Sequence, residues 1–160
     1  MMHVRKSGPF DAAPIARLLN EIIAIGGTTA MTRPVDGETI ARWMASDPRN
    51  LWHLAEDESG LLLGVQWVEP HPDLGASVAK IATFARVGRT GIGIGSALFE
   101  RTSRAVKALG YDWISAEIRA DNAGGLTYYQ SHGFEDYARK SGQELHDGQV
   151  VDKVLKRYNL

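Results

Sequence analysis

The chain has 160 residues, 44% of them hydrophobic and 23% charged, with a formal net charge of −1 and no cysteine. That length suits one domain spanning 1–160, with a core large enough to hold without staples. The mixed charge, with no long run of one sign, argues against a nucleic-acid surface, which needs a clustered basic face, and the missing cysteine excludes disulfides, thiol catalysis and cysteine-ligated zinc. No apolar signal-peptide core follows Met1-Met2-His3-Val4-Arg5-Lys6. The most apolar early stretch, Ile15 to Ile25, is broken by Arg17, Asn20 and Glu21 and is too short and polar to span a bilayer. A soluble cytoplasmic protein with no membrane contact is expected.

A short strand is expected over Val4 to Lys6. Asp11 then caps a helix with Pro14 in its first turn, and Ile15, Leu18, Leu19, Ile22 and Ile23 recur on one helical face. Gly26-Gly27 ends that helix. A second helix runs from Asp36 to Ala45, stopped by Asp47-Pro48. Two strands near 51–56 and 61–69 are joined by the short 57–60 connection of a hairpin, with Pro70 and Pro72 breaking the second. A fourth strand covers about 77–86. A glycine-rich turn and a long amphipathic helix over 94–109 follow, then a fifth strand over 113–119, a helix over 122–132, and strands over 134–139 and 150–158. Strand, helix and strand in succession over 77–119 imply a right-handed crossover, so those two strands pair in parallel and the rest are mainly antiparallel.

The segment Arg89-Thr90-Gly91-Ile92-Gly93-Ile94-Gly95-Ser96 places three alternating glycines between a strand and a helix. Glycines let backbone approach a ligand closely, and the free N–H groups at a helix start favour an anion such as a pyrophosphate. A P-loop requires Gly-Lys-Ser/Thr, which is absent. The dinucleotide fingerprint requires a third glycine where Ser96 or Leu98 stands. A tight strand–helix connection without a ligand is the plain alternative.

Further on, Asn122 opens a helix, Tyr129 lies seven residues later, about two turns along the same face, and Gly133-Phe134 ends it. Asn122 alone is an ordinary N-cap and Tyr129 alone a core tyrosine. Together with the glycine turn, these residues resemble the GCN5-related N-acetyltransferase family. Its cofactor turn, Gln/Arg-x-x-Gly-x-Gly/Ala, corresponds to 90–95 here. Its second signature, Asn-x-x-Ala-x-x-x-Tyr-x-x-x-Gly-Phe, corresponds to Asn122 through Phe134, with Gly125 in the alanine place. Gly27-Thr28-Thr29-Ala30 is weakly similar to phosphinothricin-type members.

The resemblance implies a single-domain acyl-coenzyme A N-acyltransferase fold: an α/β (α+β) domain with a mixed, mostly antiparallel sheet, a splayed parallel pair at strands four and five, and helices on both faces. It implies acetyl-coenzyme A as cosubstrate and no metal. Backbone positions for the pantetheine arm match Thr83, Phe84 and Ala85, laid along the strand in the manner of β-augmentation. Pyrophosphate positions match Gly91, Ile92, Gly93, Ile94, Gly95 and Ser96. Asn122 matches a side chain on the cofactor arm, and Tyr129 matches the tyrosine beside the thioester sulfur. Tyr128 stands about 100° away around the helix and is not expected to substitute for it. Three departures stand out: Thr90 replaces the usual glutamine or arginine, Val87 replaces a common proline, and Lys80 sits where many phosphinothricin-type relatives carry a carboxylate on the fourth strand.

Acetyl transfer to an amine needs a base, because an alkyl amine is mostly protonated at neutral pH, and a donor for the departing thiolate. A tyrosine hydroxyl suits the second task. Glu117 is the first candidate base, since some protein N-terminal acetyltransferases carry a glutamate at the matching place. Strand alternation puts Trp113, Ser115, Glu117 and Arg119 on one face. Glu69, His71, His53 and His132 are further candidates. His132 is expected to cap a helix end and His53 to pack beside a strand. The expected acceptor is a primary amine of a small molecule or amino acid, met in a ternary complex. Alternatives are a protein N-terminus or lysine, or a non-catalytic acyl-coenzyme A sensor. Such folds commonly form homodimers.

Overall fold

The computed structural model describes residues 2–89 and 92–160. Seven strands, β1 (Met2–Lys6), β2 (Leu51–Asp57), β3 (Leu62–His71), β4 (Gly75–Ala85), β5 (Trp113–Arg119), β6 (Glu135–Glu144) and β7 (Val150–Asn159), form one sheet in the order β1-β2-β3-β4-β5-β7-β6. Four helices cover it: α1 (Ala12–Ile25), α2 (Gly37–Ala45), α3 (Ile94–Ala108) and α4 (Ala123–Ser131). None of them is long and apolar enough to cross a membrane.

The two faces bury separate cores. Ile15, Leu18, Leu19 and Ile22 of α1 and Ile40 of α2 pack on Trp52, Val65, Trp67 and Phe84. In the register, Trp52 lies opposite Trp67, and the two rings stack with centroids 4.1 Å apart. On the other face, Phe99 and Val106 of α3 and Tyr129 of α4 meet Ala79, Ile81, Ile114, Ala116 and Ile118.

Every neighbouring pair of strands is antiparallel except β4–β5, which is parallel, as the crossover requires. Their shared rungs run from Val78–Trp113 to Ile81–Ala116 and then stop. β4 goes on beside β3 to Ala85, and β5 goes on beside β7 to Arg119. The two strands therefore part company beyond Ile81 and Ala116 and leave an opening between 82–85 and 117–119.

Some boundaries differ from the sequence reading. β3 continues through Pro70 to His71, because a register shift at Pro70/His71 absorbs a residue that has no N–H to give the ladder. β6 runs to Glu144 instead of stopping near 139, held by its long pairing with β7. Asp11 is the N-cap residue of α1, but its side chain makes no capping hydrogen bond. Its carboxylate accepts the Gly8 N–H at 2.8 Å within a short 3-10 turn over 9–11 and pairs with Arg5 at 2.8 Å. Asp36 does cap α2, accepting the Thr39 N–H at 2.8 Å.

Candidate functional site

The opening between β4 and β5 organises the site. The Arg86 N–H donates to the Leu63 carbonyl of β3, whereas the Ser77 carbonyl accepts the Asp112 N–H on the β5 side. Alternation along β4 then turns the amides of Thr83 and Ala85 toward the opening and that of Phe84 toward β3. Thr83 and Ala85 thus offer free strand edges to an extended ligand, while Phe84 contributes a buried ring to the core under α1. Of these three sequence-based arm positions, Phe84 is the one whose amide is already committed to the ladder.

The glycine turn leads from this opening to α3. Thr90 and Gly91 lie outside the described residues. Gly93 is the N-cap of α3, with a left-handed φ of 80°, and a Cβ there would meet nothing within 4 Å. The position needs glycine for its backbone, and the space beside it is open for a ligand. Ile92 is exposed, and Ile94 is buried against Leu63 and Leu98. Gly95 has a different reason to lack a side chain: a Cβ there would fall 2.5 Å from the Tyr128 ring. The Ser96 hydroxyl lies 3.3 Å from His132 Nε2. The first turn of α3, with its outward N–H groups, is a fit place for a pyrophosphate.

Asn122 caps α4, its Oδ1 accepting the Gly125 N–H at 3.0 Å, while its Nδ2 donates to the Thr28 carbonyl at 3.0 Å. A Cβ at 125 would lie 2.5 Å from that Nδ2, so Gly125 in the alanine place is what permits this orientation. Arg119 Nη1 also reaches the 26–36 loop, at the Thr29 carbonyl, and Asn20 ties the loop to α1 through both the N–H and the carbonyl of Val35. Asn122 therefore fastens the loop beside the opening, a role its position in the motif did not reveal.

Tyr129 is buried, with its hydroxyl 2.7 Å from Thr83 Oγ1. Burial pushes its phenol well above the ordinary range, opposed by the Thr83 hydrogen bond. Tyr128 is not turned away from this centre. Its ring lies 4.9 Å from that of Tyr129, and its hydroxyl donates to the Gly95 carbonyl at 2.7 Å. The same hydroxyl accepts from Gln66 Nε2 at 3.0 Å. Gln66, fully buried on β3, also donates to Thr83 Oγ1 at 2.9 Å. The 100° between consecutive residues separates the ring bases, but both side chains lean on the same pair of strands. Gln66 carried no sequence signal: it belongs to neither motif, and a lone glutamine in an apolar strand announces nothing.

The other side of the sheet is charged. Glu117, mostly buried, pairs with Lys153 at 3.2 Å and with Lys140 at 3.5 Å. Burial raises its carboxyl, but Lys153, Lys80 and Lys140 together outweigh that and hold it below the usual range. Lys80 stands opposite Glu69 in the β3–β4 register. Glu69 shifts the other way, raised by burial against the pull of Lys80. His71 Nδ1 accepts the N–H groups of Asp73 and Leu74, both at 3.1 Å. That fixes its proton on Nε2, and burial, then Lys80, lower its basicity. His53 lies away from both groups on β2, its imidazole drawn down to about 4 by burial, with Arg101 and Lys6 adding to the effect. His132 is the C-cap of α4.

No profile of a known protein family matches the chain. The chain is 28% identical over 163 residues, covering 98% of both proteins, to a Bacillus subtilis (strain 168) protein, YwnH, named after phosphinothricin acetyltransferase. Two solved structures share the fold. A phosphinothricin acetyltransferase from Sinorhizobium meliloti in complex with AcCoA superposes with a TM-score of 0.88 at 18% identity, over 99% of this chain and 88% of the other. A ribosomal-protein-alanine N-acetyltransferase from Brucella melitensis superposes with a TM-score of 0.89 at 20% identity, over 99% of both chains. In sequence and fold the chain resembles GCN5-related N-acetyltransferases, with a weak likeness to the phosphinothricin type.

Proposed function

We infer that this acyltransferase moves an acetyl group from acetyl-coenzyme A to a primary amine of a small molecule or amino acid, by direct attack with both substrates bound. The observation that carries the reading is the opening between β4 and β5, which places free strand amides, the open α3 turn and a buried tyrosine hydroxyl along one path. A pantetheine arm laid against Thr83 and Ala85 extends β4 as an added strand. The pyrophosphate then meets the first turn of α3 from Gly93 to Ser96. Cleavage of the thioester leaves a thiolate, and Tyr129, protonated at neutral pH, is the donor held in this region.

The amine arrives from the charged face. Its proton passes to a carboxylate there. Glu117 is the nearer to the opening, one residue past the last β4–β5 rung, but three lysines weaken it as a base. Glu69 is the stronger base, because a raised carboxyl lies closer to the working pH. Lys80, Lys140 and Lys153 also favour an acceptor that carries an acidic group besides its amine, which supports an amino acid. Holding both substrates in this geometry supplies the remainder of the rate. Thiol release measured over a panel of amino acids, polyamines and peptide N-termini tests the reading. The chain's own lack of cysteine leaves released coenzyme A as the only source of thiol. Release with amino acids above that with the other amines is the expected result, and no release with any amine overturns the proposal.

A further inference from the structure

We propose that Gln66 is a positioning residue for proton delivery: it orients the Thr83 hydroxyl so that Thr83 donates to Tyr129 and leaves the Tyr129 proton free for the departing sulfur. The inference rests on the acetyl-transfer reading and follows from counting donors. The Tyr128 hydroxyl has one proton, and it goes to the Gly95 carbonyl. The 3.0 Å contact between Tyr128 and Gln66 must then be filled by an N–H of Gln66, which fixes the amide the right way round. The second N–H of Gln66 goes to Thr83 Oγ1. Thr83 Oγ1, already accepting, is polarised to donate onward across the 2.7 Å contact to Tyr129. The order is Gln66 N–H to Thr83 O–H to Tyr129 O–H, with Tyr128 as the anchor that ties the amide to the start of α3.

This order serves the reaction at its hardest point. As the amine nitrogen bonds to the acetyl carbon, the carbon–sulfur bond breaks and its electron pair stays on sulfur. The Tyr129 proton moves to that sulfur. The resulting phenolate is buried, and burial, with a smaller effect of Tyr128, opposes it. A hydrogen bond from Thr83, held by Gln66, stabilises that charge. The proton that the amine gave to the carboxylate then passes through solvent to Tyr129 and restores the phenol. Gln66 Oε1 is buried without a hydrogen-bond partner among the described residues, so the side chain's bonds in this cluster are those of its N–H groups.

The test uses the whole chain. Gln66→Met keeps the volume of the side chain and removes both donors. It is expected to lower kcat about tenfold, the scale of one lost hydrogen bond, with KM for acetyl-coenzyme A nearly unchanged. Thr83→Val gives a comparable loss, and Thr83→Ser restores most of it. A second readout needs no turnover. With coenzyme A bound, the ultraviolet absorbance of its thiolate is followed against pH, and the chain adds no thiol of its own. Gln66→Met and Tyr129→Phe each raise the pH at which the bound thiol titrates, and the double variant raises it no further. Wild-type kcat and wild-type thiol titration in a folded Gln66→Met protein overturn the inference, as does an additive double variant. Should Gln66→Met not fold, Thr83→Val against Thr83→Ser decides in the same way. A wild-type chain with no turnover on any amine counts against the acetyl-transfer reading itself, whereas active wild type with silent variants counts against Gln66 alone.

Discussion

The two faces of the parted strands differ in how they treat charge. Under α3 and α4, Tyr128, Tyr129, Thr83 and Gln66 form a buried, uncharged chain in which each hydroxyl has a named partner. On the opposite face, Glu117 sits among Lys80, Lys140 and Lys153, and Glu69 faces Lys80 across the ladder. Burial raises both phenols and so keeps them protonated. On the other face Lys153, Lys80 and Lys140 hold the Glu117 carboxyl below the usual range, while burial raises that of Glu69 against the pull of Lys80. β3 and β4 contribute to both faces, and residue parity sorts their side chains: Gln66 and Thr83 to one, Glu69 and Lys80 to the other.

The largest effect should come from breaking the uncharged face. Tyr129→Phe keeps the ring in its packing against Phe134 and removes the hydroxyl. Turnover should fall by about 10²-fold, the scale of a positioned acid, with coenzyme A affinity and melting temperature little changed. Steady-state thiol release and calorimetry check this, and full turnover would assign proton delivery to water. Tyr128→Phe, a silent change on sequence grounds, should cost several-fold because the Gln66 anchor is lost.

Next is the shared entrance. Gly93→Val places a β-branched residue at φ of 80°, where left-handed geometry costs roughly 1–2 kcal/mol, and fills the open space beside the turn. Acetyl-coenzyme A affinity should drop about tenfold or more, since each factor of ten is only about 1.4 kcal/mol. Gly93→Asn, which tolerates that conformation, should retain the fold and part of the affinity. Titration calorimetry showing wild-type binding by folded Gly93→Val would remove the turn from the site.

The charged face is sharpened by its pH profile. A base works only when deprotonated, so activity falls as pH drops through its pKa. If Glu69 is the base, the acid limb lies above the ordinary carboxylate range; if Glu117, below it. Glu69→Gln should cost several-fold near neutrality and recover at high pH, where the amine loses its proton unaided. Glu117→Gln should act mainly on KM for the amine. The reverse pattern in pH–rate profiles would exchange the two roles.

The smallest effect concerns stability alone. His53 titrates at about 4 in the fold against an ordinary 6.5, so the unfolded chain binds a proton that the native chain refuses. Its contribution is intact above pH 6.5, is lost as pH falls toward 4, and is constant below. The slope is about 1.4 kcal/mol per pH unit at most. His53→Leu should flatten denaturant-melt stability across that window, and an unchanged slope would show that other groups dominate acid unfolding.

Much of this was legible in the sequence. The seven strands, four helices and parallel crossover followed from apolar periodicity and glycine and proline punctuation, because those signals are local. The differences lay where tertiary contacts override them: Pro70 stays in a strand because a register shift absorbs it, and Asp11, although at the N-cap of α1, turns its carboxylate to Arg5. The site was legible only in part. Gly93 is the N-cap of α3 and the Tyr129 hydroxyl meets Thr83, but Gly95 answers to Tyr128, and Asn122 holds the 26–36 loop.

Sequence by itself determined the fold, the cofactor-like turn and the presence of a tyrosine at the motif position, since each is written as a spacing within one segment. The tertiary structure decided who works with whom. Gln66 lies 62 residues from Tyr128, and Lys153 comes from a different strand than Glu117. Such partnerships depend on strand register and parity, and a one-residue slip in register would turn those side chains to the opposite face.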